Sequence, residues 1–355
     1  MSGPAKILLI AEMREGWSFS ACEKALLQQG HQVKVFNVGD VTFPMARSLF
    51  WRALYKVSKT PVAARMDASL RRFLSADPSF APDLIFLCKG DYLLPETLQY
   101  LKRKTGALLF NWHTDDYFSP TLSSPNALRS IPLYDCIFVH TRANLEELLK
   151  KGARRVEYLP HGADPALYHP LDSSAEEPFT EEAVFIGNWR KERAVFLEKL
   201  VAGGISHRLA IWGHQWDHLS RKSPLRPYTR FAAVAWEGYG RLLRSAKINL
   251  VFLTRFDTGR SVVPLRLFEI PAAGGFMLVE RGLGQAAEFF REGEEMICFD
   301  DISDLQGKIP YYLSRDSERR RIALAAQRRT VESGYFYSRK MEQAMQVYHE
   351  VREKP

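Results

Sequence analysis

Three short segments carry side chains whose types and spacing could do chemistry. In Asn111-Trp112-His113-Thr114-Asp115-Asp116, a histidine and a pair of carboxylates follow an apolar run. His113, Asp115 and Asp116 are therefore candidates to take a proton from an acceptor hydroxyl, the work of a general base. The same residues could instead cap a turn, with aspartate at a helix start; an Asp-Asp pair can also suggest a metal. In Gly187-Asn188-Trp189-Arg190-Lys191-Glu192-Arg193, a glycine loop runs into a helix start bearing Arg190, Lys191 and Arg193. Cations oppose the helix dipole at that end. A bound diphosphate would supply the reason for them, and a solvated basic turn is the plainer alternative. In the stretch from Arg266 to Gly275, Glu269 sits in an otherwise apolar helix. A carboxylate there needs partners, since burying it unpaired is expensive. Arg266, one turn earlier, could pair with it or reach phosphates. Gly274 and Gly275 let a backbone approach closely, although a helix C-cap explains a glycine equally well.

An alternating frame must position these segments. Ala5–Ala11 reads as a buried strand, Ser20–Gln29 as a helix closed by Gly30, and His31–Asn37 as a second strand. Strands at Asp83–Cys88, Leu108–Trp112, Cys136–His140 and Val156–Leu159 follow, with helical stretches such as Glu96–Lys104 and Ala143–Lys151 among them. A polar, Pro- and acid-rich stretch then separates this from a second series: strands Ala183–Ile186, Arg208–Trp212, Ile248–Leu253 and Phe276–Val279, with helices Lys191–Ala202, Gly240–Ser245 and Leu265–Ala273. The pattern predicts an α/β protein of two Rossmann-like domains facing across a cleft. The expected boundaries are 1–165 for an N-terminal Rossmann-like domain, 166–182 for a linker, 183–337 for a C-terminal Rossmann-like domain and 338–355 for a surface helix. Ligands should lie at the carboxyl ends of the strands.

Four segments, in this order, resemble a GT-B glycosyltransferase, and in detail its CgeB-like (spore maturation protein) branch. Pro160-His161-Gly162-Ala163-Asp164, continuing to Leu167-Tyr168-His169-Pro170, resembles the signature that ends the first domain of group 1/group 4 transferases. Phe185-Ile186-Gly187-Asn188-Trp189, followed by Arg190 and Arg193, resembles the loop that opens the donor domain. Leu209–Gly213 and Trp236–Tyr239 look like that domain's next strand and the loop before its short helix. Arg266–Gly275 is similar to the R-x-F-E-I-P-A-x-G element of the CgeB-like branch, and Asn111–Asp116 resembles its W-x-x-D-D element. The resemblance implies transfer of a sugar from a nucleoside diphosphate sugar, with a UDP-sugar expected, to a hydroxyl-bearing glycan, lipid-linked or small-molecule acceptor. It implies no metal and no further cofactor. Donor binding would fall to Gly187, Asn188, Arg190, Arg193, Arg266, Glu269, Gly274 and Gly275, with Glu269 accepting the two ribose hydroxyls. One departure stands out. Many retaining relatives carry an acid eight residues before this glutamate, where this chain has Ser261; Asp257 is the nearest carboxylate upstream. Neither the anomeric outcome nor the sugar can therefore be carried over. A sugar-nucleotide epimerase, or a non-catalytic nucleotide-sugar or glycan-binding protein, is the alternative.

Composition narrows the partners. A net charge of +8 suits an anionic one. Glu12–Ser18 contains a single glycine, so it is no dinucleotide fingerprint. The basic residues lack a nucleic-acid motif and an aromatic stacking platform. Cys22, Cys88, Cys136 and Cys298 are scattered, which argues against a zinc site or a disulfide framework. No apolar run reaches membrane-spanning length and no secretory leader is legible, so the expected location is the cytoplasm. Residues 44–73 are the most basic stretch, with Arg47, Arg52, Lys56, Lys59, Arg65, Arg71 and Arg72. They read either as an ordinary amphipathic helix or as a peripheral contact with the anionic inner membrane face. The run Arg315–Arg329 reads as a solvated helix face.

Overall fold

The short apolar runs become parallel strands in a computed structural model that describes residues 3–14, 18–48, 51, 60–120, 122–169, 181–204, 208–255, 261–282 and 285–353. The chain divides into two units, Met1–His161 with Arg255–Arg260 and Tyr337–Pro355, and Gly162–Thr254 with Ser261–Phe336.

The first unit is built on β1 (Lys6–Ala11), β2 (Gln32–Asn37), β3 (Leu84–Cys88), β4 (Leu108–His113), β5 (Cys136–Val139) and β6 (Val156–Tyr158). They form one parallel sheet in the order β2-β1-β3-β4-β5-β6. The inner strands are buried along nearly their whole length, as a sheet covered on both faces requires. Leu8, Ile10, Met66, Leu70, Ile85, Leu98, Leu109 and Ile137 form the core on one side. The last helix, Tyr337–Glu353, lies against the helix Ser18–Gln28 and buries Met341, Ala344, Met345 and Tyr348. Gln29 Nε2 donates to the Ser338 carbonyl at 3.0 Å and Arg155 pairs with Glu350 at 2.6 Å, which fixes this C-terminal segment on the first unit.

The second unit repeats the plan with β7 (Ala183–Ile186), β8 (Leu209–Trp212), β9 (Ile248–Val251), β12 (Met277–Glu280) and β13 (Ile297–Phe299). Their order is β13-β12-β9-β7-β8, all parallel; the short β10 (Thr254–Arg255) and β11 (Ser261–Val262) pair apart from this sheet. In both sheets the first strand lies between the second and the third. The strand order therefore reverses between β1 and β3 and again between β7 and β9, where open α/β sheets take ligands at their carboxyl ends.

The chain passes from one unit to the other at His161–Gly162, ahead of the stretch 166–182 expected to link them. Ala163 already bridges to Phe336 and Asp164 caps the turn Pro165–Leu167, so these residues are structured parts of the second unit. Residues 170–180 lie outside the described residues, as do Arg52, Lys56, Lys59 and Asp257. Among the described residues no helix is long and apolar enough to cross a membrane. All four cysteines are buried free thiols.

Candidate functional site

The donor-side candidates gather where the second sheet's strand order reverses. β7 ends at Ile186, and Gly187–Arg190 turn from it into the helix Lys191–Ala202. The neighbouring loop holds this turn in place. Gly187 N–H donates to Trp212 O at 2.8 Å, Trp216 Nε1–H donates to Gly187 O at 2.9 Å, and Trp189 N–H donates to His214 O at 2.9 Å. Asn188 Oδ1 accepts from His214 N–H at 3.3 Å. Gly213 has φ +149°, and a Cβ there would come within 2.0 Å of Gly187 O. Gly213→Ala is therefore expected to displace the Gly187 turn and weaken nucleotide binding about tenfold, roughly 1.4 kcal/mol. Calorimetric titration checks this, and an unchanged affinity would free the turn from a binding role.

Arg190 stands at the N-cap of the helix, and its side chain, which carries no acceptor, makes no capping hydrogen bond. The N–H groups of the first turn can then serve an anion. Arg193 Nη1 donates to Asn188 O at 3.3 Å. Burial, reinforced by repulsion from Arg190 and Arg266, pulls the Arg193 guanidinium down to about 10. A bound anion would relieve that crowding of positive charge.

Glu269 is 5% exposed. Arg266 Nη1 donates to its Oε2 at 2.6 Å and Tyr239 Oη donates to the same oxygen at 2.5 Å. Arg266 Nε also donates to Ile186 O at 3.2 Å, tying the pair to the end of β7. Burial works against the Arg266 charge, yet Tyr239 and Glu269 hold its pKa above the usual value. Burial likewise pushes the Tyr239 hydroxyl well up, so it stays protonated and donates. The internal ion pair foreseen as one reading of Glu269 thus exists.

Gly274 and Gly275 have structural work that needs no ligand. Gly274, at φ +83°, ends the helix Arg266–Ala273. A Cβ on Gly275 would sit 2.5 Å from Leu243 O. Glu280, which sequence reasoning missed, ends β12 and accepts from Leu253 N–H at 3.0 Å, holding the end of β9. Its signal was a glutamate closing the apolar run Phe276–Val279.

In the first unit the three residues expected to act together differ in exposure and partners. His113 closes β4 and is wholly buried, with Nδ1 3.1 Å from Asp115 O and Nε2 3.2 Å from Asp91 Oδ1. Asp116 is equally buried and accepts from Phe118 N–H at 3.1 Å, the capped turn that was its alternative reading. Asp115 is partly exposed, and its Oδ2 lies 2.5 Å from Lys89 Nζ. Lys89 and Gly90, at φ +70° and +91°, turn the chain at the end of β3. A non-glycine residue in that region costs about 1 kcal/mol or more. Burial opposes the Lys89 charge, but Asp115, Asp91 and Glu12 raise its pKa. Glu12 ends the same edge after β1, and burial raises its pKa against the pull of Arg14 and Lys89.

His140 and His161 follow β5 and β6, with ring centroids 5.2 Å apart. Burial lowers each to about 3, with repulsion from His113 and His140 respectively the next cause. Lys89, Asp91 and His140 were missed in the sequence, where each follows an apolar strand run without a motif, and Glu12 and His161 lie in segments that were read there without being singled out. Among the described residues no group of three or more His, Cys, Asp or Glu side chains is arranged to hold a metal ion.

Two units, each built on a parallel α/β sheet, are the plan shared by GT-B glycosyltransferase folds. Residues 190–346 match the family model described as glycosyl transferase-like. No curated protein matches the chain. Among solved structures the chain is similar to sucrose-phosphate synthase from Thermosynechococcus elongatus, with a TM-score of 0.70 and 13% identity over 99% of this chain and 100% of that one. It is similar to α,α-trehalose 6-phosphate synthase from Burkholderia multivorans, with a TM-score of 0.66 and 14% identity over 98% and 99% of the two chains. It is also similar to Anabaena HepE, solved in complex with UDP-glucose, with a TM-score of 0.61 and 14% identity over 98% and 100%. The fold is the GT-B fold of these structures, and within it residues 190–346 match the glycosyl transferase-like family model.

Proposed function

We propose that this chain moves a sugar from a nucleoside diphosphate sugar, with UDP as the expected nucleotide, to a hydroxyl-bearing acceptor without a metal. The observation that carries the proposal is the set of cationic groups at the end of β7, where burial and then repulsion from Arg190 and Arg266 lower Arg193, and Arg266 is paired with the buried Glu269. Negative charge grows on a diphosphate as its bond to the sugar breaks. Guanidinium groups and an uncapped helix start stabilise that charge without an ion. The HepE complex with UDP-glucose supports uracil as the base. The Arg266–Gly275 segment supports the CgeB-like branch.

Asp115 is the proposed proton acceptor in the first unit, with His113 fixed behind it and Asp116 holding the turn. The acceptor molecule is a glycan, a lipid-linked sugar or a small molecule. The basic composition of 44–73 supports a peripheral membrane contact for a cytoplasmic protein.

A thermal-shift screen against UDP, GDP, dTDP, CDP and ADP, with and without EDTA, tests this reading. One nucleotide, expected to be UDP, should raise Tm by about 5 °C at saturating concentration, and the shift should survive EDTA. No shift from any nucleotide would overturn the reading. Product analysis with the matching nucleotide sugar then separates transfer from epimer formation or binding alone.

A further inference from the structure

The Glu269 carboxylate is bound asymmetrically. Its bonds from Tyr239 Oη and Arg266 Nη1, at 2.5 and 2.6 Å, both end on Oε2. A carboxylate offers about two lone-pair sites on each oxygen. Oε2 is therefore filled from within the fold, and Oε1 is the oxygen left to accept from a ligand. Tyr239 has little freedom to let go. It is 7% exposed, its ring stacks on Trp236 at 5.8 Å, and the Arg266 guanidinium lies 5.4 Å from its centroid. It comes from the helix Trp236–Ser245, whereas Arg266 and Glu269 share the helix Arg266–Ala273. The carboxylate is thus clamped from two separate elements.

We propose that Tyr239 is a positioning residue that sets ribose selectivity: by filling Oε2 together with Arg266, it presents Oε1 alone to the vicinal hydroxyls of a ribonucleotide. This rests on the donor reading given above together with the ribose role that the resemblance implies for Glu269. Two adjacent hydroxyls can share the two lone pairs of one oxygen. A 2′-deoxyribose supplies one hydroxyl and leaves the charged oxygen short of a donor, and a site built for a hydroxyl rejects the ligand that lacks it. The discrimination depends on the carboxylate being held still. Without the Tyr239 hydroxyl, Arg266 alone restrains it, and either oxygen can turn toward solvent or ligand.

Calorimetric titration of UDP and 2′-deoxy-UDP tests the proposal; if the screen selects another base, that nucleotide and its 2′-deoxy form are the probes. The parent protein should prefer the ribonucleotide by about tenfold or more. Tyr239→Phe should lose about tenfold in UDP affinity while the 2′-deoxy form loses less than about threefold, so that the preference shrinks. Equal losses for both ligands would make Tyr239 merely structural and overturn the proposal, as would an unchanged preference. Glu269→Gln supplies a second route that keeps Tyr239. Its donors claim the amide oxygen and force the NH₂ group into the place of Oε1, so the ribose preference should vanish. A retained preference in that variant also overturns the proposal. A parent that binds UDP without discriminating defeats this inference alone, whereas a parent that binds no nucleotide defeats the donor reading beneath it.

Discussion

Glu269→Ala is expected to reduce nucleotide affinity by about a hundredfold or more, near 2.7 kcal/mol, and to lower Tm as well. The second effect follows from what the side chain holds. Its removal leaves the Arg266 guanidinium and the Tyr239 hydroxyl facing a void in a buried place. Breaking a buried pair by deleting one partner costs about 3–5 kcal/mol. Because the Arg266 side chain is 27% exposed, water can reach part of it, and the lower end of that range is expected. Glu269→Gln keeps an acceptor for those donors and should retain most of the stability while still losing affinity about tenfold. Calorimetric titration and differential scanning on both variants separate binding from folding. Parent-like affinity in Glu269→Ala would remove Glu269 from the nucleotide site. A large Tm loss with affinity unchanged would leave only the ion pair.

The parts legible in the sequence were those in which local pattern and tertiary role coincide. β3, β4, β5 and β7 are short apolar runs, buried along nearly their whole length in the parallel sheets, so hydropathy alone locates them. The Gly187 turn and the Arg266–Glu269 pair each lie within one helical turn of a recognisable motif. The Glu269 partner Tyr239 lies thirty positions away along the chain, and Asp91 lies twenty-two from His113. No periodicity connects such residues. Only the order of the strands, with β3 beside β4, brings Asp91 to the His113 ring. Asp116 shows the opposite limit. A carboxylate beside a strand end looks the same in sequence whether it faces a substrate or caps a turn, and its bond from Phe118 N–H is visible only in the fold. Gly274 and Gly275 were ambiguous for the same reason. The helix Trp236–Ser245 begins earlier than Gly240, its expected start, because Trp236 and Tyr239 stack along it despite the two glycines.

Acidification below pH 6.5 is expected to destabilise the first unit through His140 and His161. Both are depressed in the fold to about 3, from an ordinary 6.5, because burial disfavours the imidazolium. Between those values the unfolded chain carries protons on these rings that the folded chain does not. Stability is then fully present above pH 6.5 and is lost as pH falls toward the folded value. At pH 5, each ring costs about 2 kcal/mol, from 1.36 kcal/mol per unit of pH. That is a large share of a marginal total, usually about 5–15 kcal/mol. Urea unfolding at pH 5, 6 and 7 measures the slope, and His140→Gln should remove about half of it. A flat profile from pH 5 to 6.5 would mean that the rings gain protons without opening the fold. Lys340 supplies an internal control because its window is separate. Burial and Arg339 lower it to about 8 from an ordinary 10.5, so the unfolded chain holds the extra proton between those values and stability should rise with pH there. Lys340→Met should flatten that rise and leave the slope below pH 6.5 untouched, which would assign the acid limb to the histidines.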